Sequence, residues 1–305
     1  MEKYDLIIVG GGPGGLTAAI YAGRYKLKTL IITREAGGTA STAHKICNYP
    51  GFLEIGGFDL MHKIFEQVEN LEIPVEYATV ENISKVGEDF KVVTDSGGEF
   101  MGSKVIYSLG SERKHLGAKN EDLLAGKGIS YCATCDGPFQ KDKVVAVIGG
   151  GDAALTAALL LAEYATKVYV IYRQEAFLRG EPSWVEMVEK NEKIESIFSE
   201  EVTDFVGTEK LTAVRLKNAG KDLPVDGVFV EVGIEPNVKA IDLLKIELDG
   251  KYIKVDKSQK TNVAGFYAIG DVTNNVLKQI VTASGGGATA AYGVYHEISK
   301  QRHEV

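Results

Sequence analysis

Two cysteines with two residues between them, in Ser130-Tyr131-Cys132-Ala133-Thr134-Cys135-Asp136, are the most reactive grouping in the chain. Cys-x-x-Cys spacing permits a small disulfide ring and can lower the pKa of one thiol, which suits two-electron redox chemistry. The same spacing is half of a zinc site, but zinc takes about four N/S ligands. The rest of the chain offers Cys47 and five histidines, none paired at ligand spacing. A redox dithiol is therefore favoured over a metal site or an inert pair, and no metal is expected. Asp136 is either a solvated turn carboxylate or a group that moves protons as thiolates form and recombine.

A dithiol needs a source of electrons, and two glycine turns supply candidates. Tyr4–Val9 runs into Gly10-Gly11-Gly12-Pro13-Gly14-Gly15 and then an Ala-rich helical stretch. Lys143–Ile148 runs into Gly149-Gly150-Gly151-Asp152-Ala153-Ala154 and a second such stretch. Both fit G-x-G-x-x-G/A in strand–turn–helix context. The first glycine makes the turn, the second lets a pyrophosphate approach, the third position packs helix on strand, and the helix N-terminus offers amide donors. Two copies in context far outweigh the weak signal of one. The strand after the first turn ends at Glu35, 25 residues beyond Gly10, where a carboxylate accepts from ribose hydroxyls. The strand after the second ends at Arg173, 24 residues beyond Gly149, where a cation suits a 2′-phosphate and hence NADPH. One acidic and one basic adenosine reader imply two different dinucleotides.

The whole composition agrees. At 305 residues the chain has room for about two domains. Its 35 glycines exceed the usual share of roughly 7%, while prolines number 7, which fits repeated βα turns rather than a linker protein. A net charge of −8 without a basic tract disfavours nucleic acid. No apolar run approaches the ~20 residues of a membrane span, and the N-terminus lacks a signal-peptide pattern. A cytoplasmic protein is expected. Near the C-terminus, Ala264–Asp271 reads as a short strand ending in Gly-Asp, followed by a helix from Ile280 to Ser299. The Gly285-Gly286-Gly287 run in that helix costs roughly 1 kcal/mol per residue relative to alanine, so something bulky is expected against its backbone.

In this order the landmarks resemble the low-molecular-weight thioredoxin reductases, flavoprotein disulfide reductases with the redox cysteines in the NADPH domain. They are Gly10–Gly15, Glu35-Ala36-Gly37-Gly38, Asn48-Tyr49-Pro50-Gly51, Cys132–Asp136, Gly149–Ala154, Gly233–Asn237, and Gly270-Asp271-Val272 with Lys278-Gln279. The resemblance spans essentially the whole chain. It implies an α/β fold of two Rossmann-like dinucleotide-binding domains, one inserted in the other. An FAD domain would cover 1–112 and 246–305, and an NAD(P)H domain 115–243, joined by a two-stranded hinge. It also implies a homodimer and a domain rotation that gates catalysis.

FAD contacts are implied at Gly10, Gly12, Pro13, Gly14, Gly15, Glu35, Gly38, Thr39, Asn48, Gly110, Gly270, Asp271, Lys278, Gln279 and Ile280. NADP contacts are implied at Gly149, Gly151, Asp152, Ala153, Ala154, Arg173, Arg179 and Gly233. Cys47 reads as a buried or flavin-neighbouring thiol. Three departures from the family pattern stand out. His-Arg-Arg reads Tyr172-Arg173-Gln174, a later arginine aligns with Leu178 beside Arg179, and a usual Gln reads Thr39.

The implied activity is reduction of thioredoxin by NADPH through FAD and the Cys132–Cys135 disulfide, with Cys135 facing the flavin and Cys132 attacking the partner. NADH, ferredoxin or a deazaflavin as donor, and a glutaredoxin-like or peroxidase partner, are variants of that chemistry. A flavin redox sensor without turnover is the reading from another class, and the intact Cys-x-x-Cys-Asp weighs against it.

Overall fold

The computed structural model describes residues 2–43 and 46–303. The chain divides into two compact units, one formed by residues 1–112 with 235–305 and the other by residues 113–234. It passes between them twice, within the short strands Ser111–Arg113 and Ile234–Pro236.

In the first unit a seven-stranded sheet is built on the strands Lys3–Val9, Thr29–Thr33 and Glu99–Tyr107. Lys3–Val9 lies between the other two and runs parallel to both, with Ile7 opposite Leu30 and Val105. Its β-branched and leucine residues face alternate sides. Leu6 and Ile8 join one apolar cluster, Ile7 and Val9 the other, and all four are fully buried. A strand covered on both faces must read as a continuous apolar run, and this one does. The helix Pro13–Arg24 covers the first face, with Pro13 at its opening position where no amide is needed. Phe266–Ala268 adds a further parallel strand beside Glu99–Tyr107.

The second unit repeats the plan. Five parallel strands lie in the order Ile194–Ile197, Lys167–Ile171, Val144–Ile148, Gly227–Val230, Ile129–Ser130. The helix Asp152–Tyr164 packs on Val145 and Val147, while Ala146 and Ile148 meet Phe205 and Val214 of a three-stranded antiparallel sheet. No helix of the described residues is long and apolar enough to cross a membrane.

Two expectations are corrected. The chain rejoins the first unit at residue 235, not near 246. Ala240, Ile241 and Leu244 pack with Ile7 and Val9, so this segment shares the first unit's core. In the glycine run of the helix Ile280–His303 only Gly286 faces side chains, its Cβ position lying 3.2 Å from Gln259 Oε1 and 3.6 Å from Ile269 Cβ. A Cβ on Gly287 would lie 2.2 Å from the Gly14 carbonyl oxygen, so the partner is the backbone of the helix Pro13–Arg24. On Gly285 it would meet nothing within 4 Å.

That C-terminal helix is fastened by Glu297. Its carboxylate accepts from Lys260 Nζ at 2.6 Å and Tyr267 Oη at 2.8 Å, and Lys104 Nζ lies 3.0 Å away. Burial pushes this carboxyl upward, but the hydrogen bonds from Lys260, Lys104 and Tyr267 outweigh it and hold it at about 2, below the usual 4.5. The folded pKa is depressed, so its stabilisation is complete above about 4.5 and lost as pH falls towards 2. Glu297→Gln should cost on the order of 1–2 kcal/mol near neutrality. Its unfolding midpoint, followed against pH, should converge on wild type as pH falls to about 2. A constant gap between the two curves would contradict the assignment.

Candidate active site

The first glycine turn is shaped by its own chain at two positions and left open at a third. Gly10 has φ +109°, and a Cβ there would lie 2.3 Å from the Ser108 carbonyl oxygen. A Cβ on Gly15 would lie 1.9 Å from the Gly10 oxygen, so helix and strand touch through their backbones. Gly12 has φ −76°, which any residue adopts, and nothing lies within 4 Å of its missing Cβ. The fold does not require glycine at 12. It leaves open the space in front of the helix N-terminus, where backbone amides can meet an anion.

Other expected FAD residues gather at this end of the sheet. Thr33 Oγ1 accepts from Gly11 N at 2.9 Å and donates to the Glu35 carbonyl at 2.7 Å, pinning the second strand's end to the glycine turn. Gly37 N donates to Gly11 O at 2.8 Å, and a Cβ on Gly38 would come within 3.3 Å of Gly12 Cα. Thr39 follows in the same short turn, exposed, as is Glu35. Pro13 and Gly14 open the helix, and a Cβ on Gly14 would be 3.1 Å from the Ala283 carbonyl. Gly270 and Asp271 form a turn directly after Phe266–Ala268, with Ala283 Cβ 3.5 Å from where Gly270's would be. Burial raises the Asp271 carboxyl, and Lys278 partly opposes this. Lys278 is spoken for locally, donating to the Thr273 and Asn275 carbonyls and lying 4.0 Å from the Tyr252 ring centre. Asn48 Nδ2 donates to Gln279 Oε1 at 3.1 Å, joining residues 231 positions apart, and Ile280 begins the next helix. Gly110 is held apart from the turn's own bonds, its carbonyl accepting from Asn237 N at 3.0 Å. Cys47, next to Asn48, is exposed, which removes the expectation of a buried thiol.

The second turn copies the first. Gly149 has φ +146° with a Cβ position 2.2 Å from the Glu231 oxygen, Ala154 is fully buried, and Gly151 at φ −102° faces open space. Here too the chain itself does not require glycine at the middle position. Asp152 Oδ1 accepts from Glu181 N at 2.6 Å, and Arg179 is bridged backbone to backbone with Gly151. The loop after Arg173 thus returns to the turn and delivers Arg179 there. Both arginines are exposed, as is Ala153. Gly233 lies outside the turn, its carbonyl accepting from Lys114 N at 2.9 Å.

Cys132 and Cys135 form a disulfide with Cα atoms 5.3 Å apart. Cys132 precedes a single helical turn, Ala133–Asp136, and its sulfur accepts from Cys135 N at 3.2 Å. Cys135 is exposed and Cys132 half-buried. The Asp136 amide donates to the Cys132 carbonyl at 3.1 Å, so Asp136 closes the turn that holds the ring. A ring closed on one helical turn, one strand ahead of a dinucleotide-type turn, can exchange two electrons with a partner thiol pair.

Over residues 4–287 the chain matches the family described as pyridine nucleotide-disulphide oxidoreductase. It is 38% identical to a thioredoxin reductase of Listeria innocua, over 99% of this chain and 96% of that protein. The chain belongs to the thioredoxin reductase family. A Bacillus subtilis thioredoxin reductase is 35% identical over 97% of this chain and 95% of its own. The crystal structure of Lactococcus lactis thioredoxin reductase superposes with a TM-score of 0.94 at 34% identity, covering 97% of this chain and 99% of that one.

Among thioredoxin reductases the departures noted in the sequence acquire a setting. Tyr172, where the family carries histidine, lays its ring on Gly150, whose Cβ would fall 2.4 Å from Tyr172 Cδ1. Phe177 stacks on Tyr172 with ring centres 6.2 Å apart. Gln174 and Leu178 are exposed. Sequence reasoning missed the Gly150–Tyr172 packing, for which the only signal was a third consecutive glycine. It also missed Glu121 and Tyr131, whose contact no local pattern announces.

Proposed function

We propose that this chain reduces the disulfide of thioredoxin, or of a thioredoxin-like protein, at the expense of NADPH and with FAD as its resident cofactor. The observation that carries the reading is the Cys132–Cys135 ring, set just ahead of the second of two glycine turns whose middle positions are open. FAD, when bound, accepts hydride from a reduced nicotinamide and passes two electrons to a disulfide.

The chain's own residues do the rest. Gly12 and Gly151 leave room for the pyrophosphates of FAD and NADPH respectively, and Glu35 accepts from the FAD ribose. Asp271 and the linked Asn48 and Gln279 border the flavin end of the same sheet edge, in the role the family resemblance gives them. Arg173 and Arg179 receive the 2′-phosphate. With the ring open, Cys132 thiolate attacks the partner's disulfide. The partner sulfur leaves as thiolate and a mixed disulfide forms. Cys135 thiolate then displaces the second partner sulfur and closes the ring again. Asp136, beside the leaving thiolate, holds or returns the proton. The working form is a cytoplasmic homodimer.

Anaerobic titration of the purified yellow protein with NADPH, followed by addition of oxidised thioredoxin, tests the reading directly. Bleaching by NADPH and recovery on adding thioredoxin are expected. Bleaching without recovery would remove thioredoxin as partner, and no bleaching by either nicotinamide would move the donor to ferredoxin or a deazaflavin.

Nucleotide choice gives a separate prediction. Arg173→Ala and Arg179→Ala should each lower kcat/KM for NADPH by about tenfold or more, the loss of one charge-assisted contact, and leave NADH little changed. The preference should shrink as salt rises, because both side chains are exposed. Equal efficiency with NADH in the wild type would defeat it.

A further inference from the structure

Tyr131, immediately before Cys132, is tied to a carboxylate that no local pattern predicts. Its hydroxyl donates to Glu121 Oε1 at 2.7 Å. Glu121 is buried, 4% exposed, and the same carboxylate accepts from Leu116 N at 2.9 Å and Gly117 N at 2.6 Å. The tyrosine therefore hangs on a group already fixed by two backbone amides. Burial, with Glu121 beside it, raises the Tyr131 phenol, so the hydroxyl remains a donor across the neutral and mildly alkaline range. His115 closes the outer side, its Nδ1 3.2 Å from the Tyr131 oxygen and its ring 4.9 Å from the tyrosine ring. On the other side of the same peptide, Ser130 Oγ accepts from Cys132 N at 3.0 Å and contacts its carbonyl at 3.3 Å. The backbone leading into Cys132 is thus held at both residues that precede it.

We propose that Glu121, through Tyr131, is a positioning residue for the dithiol: it keeps Cys132 in the place from which Cys135 can close the ring. The inference rests on the reading of Cys132–Cys135 as the working disulfide. When the ring is open, an untethered Cys132 would sample more positions, and the effective concentration of one sulfur at the other would fall. The tie therefore stabilises the ring relative to the dithiol and hastens resolution of a mixed disulfide by Cys135.

The test uses the holoenzyme without nucleotide, equilibrated in mixtures of reduced and oxidised dithiothreitol. In that exchange the Cys132–Cys135 bond opens to two thiols, while one dithiothreitol gives up two hydrogens and closes its own disulfide. Acid quenching, alkylation and mass spectrometry count the thiols at 132 and 135. Tyr131→Phe should make the ring about fivefold easier to reduce, the equivalent of one hydrogen bond of roughly 1 kcal/mol. Glu121→Gln, which replaces one acceptor with a donor facing a backbone amide, should shift the equilibrium the same way. NADPH turnover with ferricyanide, which bypasses the dithiol, should stay at the wild-type rate in both variants. Equilibria within twofold of wild type in both would overturn the proposal. A wild-type ring that dithiothreitol opens but NADPH does not would instead sink the functional reading, leaving the Tyr131 comparison intact.

Discussion

Cys135→Ser should abolish turnover with thioredoxin while letting the protein accumulate a covalent complex with it. Removing either cysteine removes the ring, so kcat falls to background in both single variants. The asymmetry lies in what remains. With Cys135 gone, Cys132 attacks but nothing resolves the product, and the mixed disulfide persists on a non-reducing gel until dithiothreitol is added. With Cys132 gone, the complex should be scarce. The structure makes this a demanding test, because Cys135 is the more exposed residue of the closed ring. If exposure alone decided which sulfur meets the partner, Cys132→Ser would be the trapping variant. Abundant complex from Cys132→Ser, with little from Cys135→Ser, would reverse the assigned roles.

Gly12→Val should yield protein that folds but is colourless. Its φ of −76° suits valine, and no chain atom stands within 4 Å of the new Cβ. The substitution therefore takes space only from what lies in front of the helix. Gly15→Ala is the contrasting case, since its Cβ would overlap the Gly10 oxygen at 1.9 Å. That variant should fail in folding or yield rather than in colour alone. Comparing visible flavin absorbance with far-ultraviolet circular dichroism separates the two outcomes. A fully yellow Gly12→Val protein would show that the first glycine turn does not face the pyrophosphate.

What the sequence made legible was whatever local geometry demands. The two strand–turn–helix units could be read because Gly10, Gly15, Gly149 and Ala154 answer to backbone atoms a few residues away or in the adjoining strand. The Cys-x-x-Cys ring could be read because its closure needs only one helical turn. Contacts made by the fold at long range left no such trace. Asn48 and Gln279 meet across 231 positions of the chain, and Arg179 is bridged to Gly151 beside the bond that Asp152 accepts from Glu181 N. The boundary near residue 235 was misplaced because apolar residues such as Ile241 and Leu244 do not say which of two similar cores they enter. Gly287 of the last helix was misread for a related reason. The glycine run showed that close approach was required, but not that at Gly287 the approaching surface was another helix's backbone.

The contact between Gly287 and Gly14 bears on the order in which a nascent chain acquires its structure. The residues of the second unit have all been synthesised by position 234, so its own core can form before residues 235–305 leave the ribosome. The first unit is in the opposite situation. Leu16, Ala18 and Ala22 share one cluster with Ala290, Ala291 and Val294, and that part of the cluster is incomplete until the C-terminal helix emerges. During synthesis the middle of the polypeptide matures first, while the opening segment waits with an apolar face uncovered. Joining residues 1 and 305 through a linker and opening the chain elsewhere would bring the two helices together early. Such a permuted version should depend less on chaperones than the natural order of synthesis does.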